Sequence, residues 1–508
     1  MDFGTQSVRA SIFSHTRGRL GAGVAPCAVQ RDPADPYLAT QSPQEQLAAL
    51  ADAIARALAN SAVDGRLIRA LAIDTTGSTV VPVGARLEPL DDFYLWCDHR
   101  AWREAAAITE TARRTALLAL DWCGGAYSSE WGFAKVLHWL RRNPERRSEF
   151  VTALEHCDWI AATLCGISDQ AEAPRSICAM GHKWMWNAAL GGLPAEEFLV
   201  EVDPLLAGVR EPLAAGRYLT AAETAGMLCQ SWAKRLGLTP EIPIAAGALD
   251  AHWDAIGAGI ALGDIVSVIG TSTCIMAISP EARAIQGVSG VVQGSIHPHF
   301  AGIEAGLAAS GDLFDAIARR AGQSLSELAA QTAHHRAGQT GLLRLAWDNG
   351  DRTVLADPTL SGVAIGWHLQ HTAADELFAA LEGTAFHTRI IFERMAESGV
   401  PIERVIHTGG IPQRNEKLNR VYASVLGKPV LVPEADATSV GAAIFAFVAA
   451  GAFDSVEAAQ AALVPGHRVV EPEPTAMRVY EDLYPLFRET YFSLGRSPLH
   501  AALAHHRA

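Results

Sequence analysis

Short apolar runs that end in glycine- and hydroxyl-rich turns recur along this chain, with longer stretches of helical spacing between them. Val8–Phe13 reads as a strand, and so does Leu71–Ile73, which breaks into Asp74-Thr75-Thr76-Gly77. Thr79–Val83 reads as a further strand, weakened by Pro82, which has no N–H to give to a ladder. Ile242–Ala246 precedes the turn Gly247-Ala248-Leu249-Asp250-Ala251-His252. Ile265–Ile269 breaks into Gly270-Thr271-Ser272-Thr273 and resumes as Ile275–Ile278, and Arg404–Ile406 runs into Thr408-Gly409-Gly410.

The helical signals fall between these runs. Ser42-Pro43-Gln44-Glu45 has the form of a capping box with proline at the first helical position, and Leu47, Leu50, Ile54 and Leu58 follow at helical spacing. A long helix is predicted over Asp375–Ser398, with Gly399 as its C′ residue. Ser439 is the expected cap of a helix through Ala450, with Gly451 after it. Strands alternating with helices predict α/β layers, with repetition at the scale of a lobe.

Residues 91–236 break the alternation. They are rich in Trp, Ala and helical spacing, and predict a largely helical insertion on the first lobe. Gly257, Gly259 and Gly263 mark the boundary, giving domains 1–259 and 260–495 and a loose, solvated tail over 496–508 that holds His500, His505 and His506. Only Met1 precedes Asp2, which predicts a frayed or shortened first strand, an exposed edge on its neighbour and a loosened Asp2.

A chain of 508 residues exceeds one typical core, in line with two domains. Its formal charge of −14 argues against non-specific binding to nucleic acid or anionic membranes. The eight cysteines form no C-x-x-C pair, which favours reduced thiols over a metal cage. The longest apolar run, Val440–Phe453, is too short to span a bilayer, and no secretion signal is evident, so a cytoplasmic protein is expected.

The chemistry expected lies in the turns. Asp250 is the only carboxylate in Gly247–His252 and is a candidate general base; it is equally well placed to cap the helix that follows. Gly4, Thr5, Gln6 and Ser7 at the start, and Gly270, Thr271, Ser272 and Thr273 later, offer N–H groups and hydroxyls to phosphate. Gly409 and Gly410 permit close backbone approach of a nucleotide, with Gln413 and Asn415 in the same loop, although Asn415 serves equally as a helix cap. Asp2 beside Gly4-Thr5 suits a hydrated divalent cation or a turn cap, and Arg9 adds charge to phosphate or is simply an exposed strand residue. A base between separated phosphate turns suggests ATP-dependent phosphoryl transfer between two lobes.

These turns resemble those of the FGGY carbohydrate kinase family of the actin-like ATPase superfamily, closest to its ribulokinase branch. The resemblance spans nearly the whole chain. It extends to Ile73–Thr79, Leu95–His99, Ser128–Trp131, Gly181–Trp186, Gly302–Gly306, Trp347–Arg352 and Gly409–Asn415. Cys97 departs from the family's usual lysine, His182 from its frequent tyrosine and Ala346 from an aspartate.

The resemblance implies two ribonuclease-H-like lobes with ATP and Mg²⁺ in the cleft between them. It implies Asp250 as general base, Asp2 and Asp250 near the metal, and Lys183 and Glu304 as contacts to sugar hydroxyls, with Trp96 and Asp98 lining the same cleft. L-ribulose is the sugar implied, in arabinose catabolism, ahead of D-ribulose or another ketose or polyol. An idle sugar- or nucleotide-binding protein of kinase ancestry is the alternative from another class. The partners expected are the sugar and ATP, with no nucleic acid or membrane, and a homodimer is left open.

Overall fold

A computed structural model describes residues 1–505 and gives a two-lobe α/β protein. The first lobe is built on a five-stranded sheet in the order Ala248–Leu249, Asp74–Thr75, Asp2–Phe3, Ser7–Ser14, Gly18–Pro26. The second is built on seven strands in the order Gly290–Gln293, Ala301–Leu307, Thr273–Ser279, Asp264–Ile269, Arg404–Thr408, Val430–Pro433, His467–Val470. Each sheet repeats one device. A strand turns back on itself antiparallel through a three-residue glycine turn, while its other edge pairs in parallel with a later strand. Both turns close on a backbone hydrogen bond, Gly4 N–H to the Ser7 carbonyl at 3.1 Å and Gly270 N–H to the Ser272 carbonyl at 2.9 Å.

The predicted helices form at the predicted places. Ser42 caps the Pro43–Ser61 helix by accepting from the Glu45 N–H. That helix lies close over the Gly18–Pro26 strand, where a Cβ on Gly23 would stand 2.1 Å from the Ala53 carbonyl oxygen. The long helix runs Ala373–Glu397 with a Thr372/Asp375 capping box, and Gly399 follows at φ +86°. One start differs: the later helix spans Ala437–Ala449 with Asp436 at its N-cap position. Ser439 sits inside its first turn and donates to Asp436 Oδ2 at 2.7 Å, so it tethers the cap residue instead of being it.

The 91–236 region is less helical than expected. Thr152–Glu155 joins a third, five-stranded sheet beside Val80–Val83, and two small strand pairs follow, one with a strand from Pro243–Ala245. Four-residue strands carry too few positions to stand out from the surrounding helical spacing. Pro82 is no weakness here. Its strand pairs with Thr152–Glu155 throughout, and on the other edge at Val80 and at a bridge from Val83 to Pro89, where Pro82 only accepts, from the Leu90 N–H at 2.9 Å.

The expected loose tail is, as far as residue 505, a short helix, Leu499–His505. It docks through buried His500, which stacks edge-on to Trp347 and accepts from the Ser361 N–H at 3.2 Å. His506 lies outside the described residues. Among the described residues no helix is long and apolar enough to cross a membrane.

The lobes meet where the Asp250–Gly257 helix crosses the Ala437–Ala449 helix. A Cβ on Gly257 would lie 1.8 Å from the Ala437 carbonyl oxygen, and one on Gly441 would lie 1.9 Å from that of Trp253. Buried Leu249, Trp253 and Ile256 pack there with Ile406, Ile444 and Phe445 in one core.

The first strand is two residues long, yet it is neither frayed nor loose. The Met1 amino group donates to the Ala72 carbonyl at 2.9 Å, and Asp2 is buried. It covers only Val8 and Arg9 of the next strand. Beyond them a cavity of about 380 Å³ opens, lined by Ile12, Leu20, Ile54, Leu71, Ala446 and Phe447 among others.

Two stability measurements test this description. Gly441→Val should cost about 1–3 kcal/mol or more in a denaturant titration, because a branched side chain there forces the two backbones apart; an unchanged midpoint would contradict the close crossing. Fusing about five or six apolar, β-branched residues ahead of Met1 should fill the cavity, complete the ladder along Ala10–Ser14 and raise Tm. An unchanged Tm would show that the space takes no strand.

Candidate active site

A cleft of about 660 Å³ lies between the lobes, and the predicted turns converge on it. Its floor is acidic. Asp2 and Asp74 stand opposite each other on parallel strands, Asp74 is opposite Ala248 on the next, and Asp250 begins the helix that leaves that strand. Burial raises the proton affinity of Asp2, which Arg9 at 2.5 Å partly offsets. Burial and the neighbouring Asp2 raise that of Asp74 well above the usual carboxylate range, and neither Asp74 oxygen has a hydrogen-bond partner. Asp250 is pushed up to about 7, chiefly by burial and then by Asp2. It is the first residue inside the helix, not its N-cap, and its Oδ1 accepts from the Ala251 N–H at 2.7 Å. Asp2 and Asp250 line the cleft with Asp74 fully buried beside them, a group of carboxylates that fits a divalent cation by charge and by ligand type.

The phosphate turns contribute unequally. Of the first, Thr5 lines the cleft, with its hydroxyl accepting from Trp96 Nε1 at 3.0 Å. The Gly4 N–H is committed to Ser7, Gln6 is exposed and Ser7 already belongs to the strand. In the second turn Gly270, Thr271 and Ser272 line the cleft. Thr273 faces the other way, fully buried with its hydroxyl 2.7 Å from that of Ser310, because strand residues alternate sides; Cys274 faces the cleft instead. Gly409, at φ +87°, and Gly410 also line it, and a Cβ on Gly409 would meet the Ile269 carbonyl at 2.6 Å. Gln413 reaches the cleft while donating to the Pro433 carbonyl at 2.7 Å. Asn415 does not. It caps the Glu416–Leu426 helix through the Leu418 N–H at 3.0 Å.

Lys183 and Glu304 form a buried pair, with Nζ 2.8 and 3.0 Å from the two carboxylate oxygens. Burial opposes both charges. Glu304 nevertheless holds the Lys183 ammonium above its usual value, and Lys183, with His182 and His252, holds the Glu304 carboxyl well below its own. His182 and His252 each approach Glu304 at 3.5 Å, and burial keeps both neutral. Lys183 excludes a metal from this His182–His252–Glu304 cluster, since its ammonium already occupies the carboxylate. Asp98, expected in the cleft, is turned away. It is 1% exposed and clamped by Arg100 at 2.7 Å and by the Ala39 N–H.

Several cleft residues lie in segments that carry the family resemblance, or beyond them, but the sequence assigns them no role. Glu130 and Arg352 face it from opposite lobes, and Thr76, Gly77 and Ser78 line it too. So does the segment Glu434–Thr438, where the Thr438 hydroxyl donates to Asp254 at 2.8 Å. Lys135 is fully buried and donates to the carbonyls of Ser78, Tyr94 and Leu95, which fastens the turn that carries Trp96 to the Ser78 turn. Its place mid-helix reads in sequence as an ordinary solvated lysine.

Comparison with known proteins agrees with this geometry. The FGGY family of carbohydrate kinases matches through its N-terminal domain over residues 1–191 and its C-terminal domain over residues 265–450. A ribulokinase of Geobacillus thermodenitrificans is 32% identical, across 99% of this chain and 96% of its own. A ribulokinase of Vibrio parahaemolyticus is 33% identical, across 96% and 94%. In fold, a xylulose kinase of Brucella ovis superposes with a TM-score of 0.85 at 21% identity, covering 97% of this chain and 98% of its own. A glycerol kinase of Plasmodium falciparum, solved with ADP, gives 0.76 at 14%, covering 96% of each. Its sequence, its two lobes and its cleft together assign this chain to the FGGY family of carbohydrate kinases, enzymes that use ATP to phosphorylate a sugar.

Proposed function

We propose that this kinase transfers the γ-phosphoryl group of ATP to a ketopentose, L-ribulose first among them, giving L-ribulose 5-phosphate in L-arabinose breakdown. The observation that carries the reading is the buried Lys183–Glu304 pair, one histidine away from the Asp250 turn. The ribulokinase names of the relatives support the choice of sugar. A division of the chain near Gly259 belongs to the same proposal and agrees with the two family segments.

In this reading Lys183 donates to sugar hydroxyls and Glu304 accepts from them. Asp250 takes the proton of the attacking hydroxyl as its oxygen approaches phosphorus. Gly270–Ser272 and Thr5 hold the transferred phosphoryl group, and Gly409, Gly410 and Gln413 hold the nucleotide. Asp2 and Asp250 would hold Mg²⁺, which when bound would supply positive charge against the phosphates. Closure of the lobes keeps water from competing with the sugar.

An ADP-release assay across pentuloses, pentitols and aldoses tests the reading, with L-ribulose expected to give the highest kcat/KM. A preference for an aldose or a polyol would overturn the choice of sugar.

Asp250→Asn should lower kcat by roughly 10²–10⁴ while sugar binding survives. A carboxyl raised to about 7 is protonated, and useless as a base, below that pH. The wild-type kcat/KM should therefore fall on the acid side of neutrality, with a bound cation drawing the limb lower. Near-normal turnover of the folded variant would remove Asp250 from the mechanism. Lys183→Met and Glu304→Gln should each weaken sugar binding by roughly 1–3 kcal/mol, through a lost hydrogen bond and an unpaired partner. Nucleotide affinity should be unchanged; the opposite pattern in a titration would put the pair on the ATP side.

A further inference from the structure

Glu130 and Arg352 lie 222 residues apart in sequence and face each other across the cleft with a single contact, Arg352 Nη2 to Glu130 Oε1 at 3.4 Å. Two ion pairs elsewhere in this chain look different. Arg344–Asp348 and Arg404–Asp264 are two-pronged, at 2.6–2.8 Å. In the cross-cleft pair most guanidinium N–H groups and one carboxylate oxygen are left unused, and the two side chains keep 23% and 18% of their surface open. A loose pair of strong hydrogen-bonding groups on a cleft wall is free to exchange partners.

Both backbones are fixed, and fixed to the sugar side. Next to Arg352, the Asp351 carboxylate accepts from Trp347 Nε1 at 3.1 Å, from the Thr353 N–H at 2.9 Å and from the Tyr491 hydroxyl. The Thr353 hydroxyl accepts from the Gly306 N–H at 2.9 Å, two residues beyond Glu304 on the same strand. On the other side, Ser128 accepts from the Glu130 N–H, and Trp131 lies beneath the Lys183 ammonium, 5.9 Å from ring centre to Nζ. Tyr127 donates to the Lys183 carbonyl at 3.0 Å. The loop of each charge is thus bound to the backbone of one member of the Lys183–Glu304 pair.

We propose that Glu130 and Arg352 are specificity-determining residues that read the hydroxyls of a neutral ketose or polyol at a distance from the phosphorylated position. The inference rests on the sugar-kinase reading of the cleft and names the part of the substrate that reading leaves unassigned. Arg352 donates to sugar oxygens, and Glu130 accepts from hydroxyls. The Glu130 carboxylate also sets the class, because it repels a sugar acid that Arg352 alone would attract. Binding a sugar between them joins the lobes more firmly than their single contact does.

Calorimetric binding of a panel of pentuloses, pentitols and pentonic acids to the full-length wild type, Glu130→Gln and Arg352→Gln tests this, with Mg·ADP titrated in parallel. Each variant should weaken binding of the preferred neutral sugar roughly 10- to 100-fold, with Mg·ADP affinity within about twofold of wild type. Glu130→Gln should also bind pentonic acids relatively better than wild type does. Arg352→Lys should recover part of the affinity, whereas a purely structural bridge would show its loss in Tm and not in the sugar isotherm. Unchanged sugar affinity in both glutamine variants, or an equal loss for Mg·ADP, overturns the inference. If wild type prefers a neutral sugar other than L-ribulose, the choice of sugar fails while the clasp is still tested on the sugar that binds. A wild type that binds only sugar acids, or no sugar, overturns the clasp itself.

Discussion

Three carboxylates are forced together at one point, and the rest of the cleft is arranged around that constraint. Asp2 and Asp74 begin adjacent parallel strands, and Asp250 begins the helix that leaves the next strand in the sheet. Burying like charges without partners costs several kcal/mol per ion, and Arg9 offsets only part of that at Asp2. On the proposed reading, a fold that keeps such a cluster gives up stability at its centre for affinity toward a multivalent cation and the phosphates it carries. The glycine turns fit the same proposal, since backbone N–H groups bring donors to phosphate without adding bulk.

The sugar side follows an opposite electrostatic rule. Lys183 and Glu304 neutralise each other, and His182 and His252 remain uncharged beside them. This end of the cleft is therefore rich in hydrogen-bonding groups but carries little net charge, as suits a neutral polyhydroxyl compound. The contrast between a charged floor and a neutral flank separates the two substrates by chemistry before shape acts.

What the sequence shows of this arrangement depends on how local each signal is. The strand-to-turn junctions at Gly4, Gly270 and Gly409 are legible because apolar run and glycine are contiguous. Asp98 misleads because a polar residue near a motif looks the same whether it faces a ligand or its own backbone, although Arg100 two residues on was close enough to signal a clamp. Asn415 left two readings even, and the Leu418 N–H three residues on decides for the cap. Thr273 misleads by one position, since a strand shows its neighbours to opposite sides. Glu130, Arg352 and Lys135 were out of reach for another reason. Their partners are supplied by distant segments, and neither charge nor spacing along the chain announces such meetings.

The crossing of the Asp250–Gly257 and Ala437–Ala449 helices has a mechanical consequence. Where two backbones touch with no side chains between them, there is nothing soft to compress and no groove along which to slide. Motion of one lobe against the other is reduced to turning about that point, as a pair of tongs turns about its rivet. Asp250 stands one short helix away from the rivet and moves little as the jaws swing. Glu130 and Arg352 ride on the jaws themselves, so the same small rotation that leaves Asp250 in place changes the distance between the two charges.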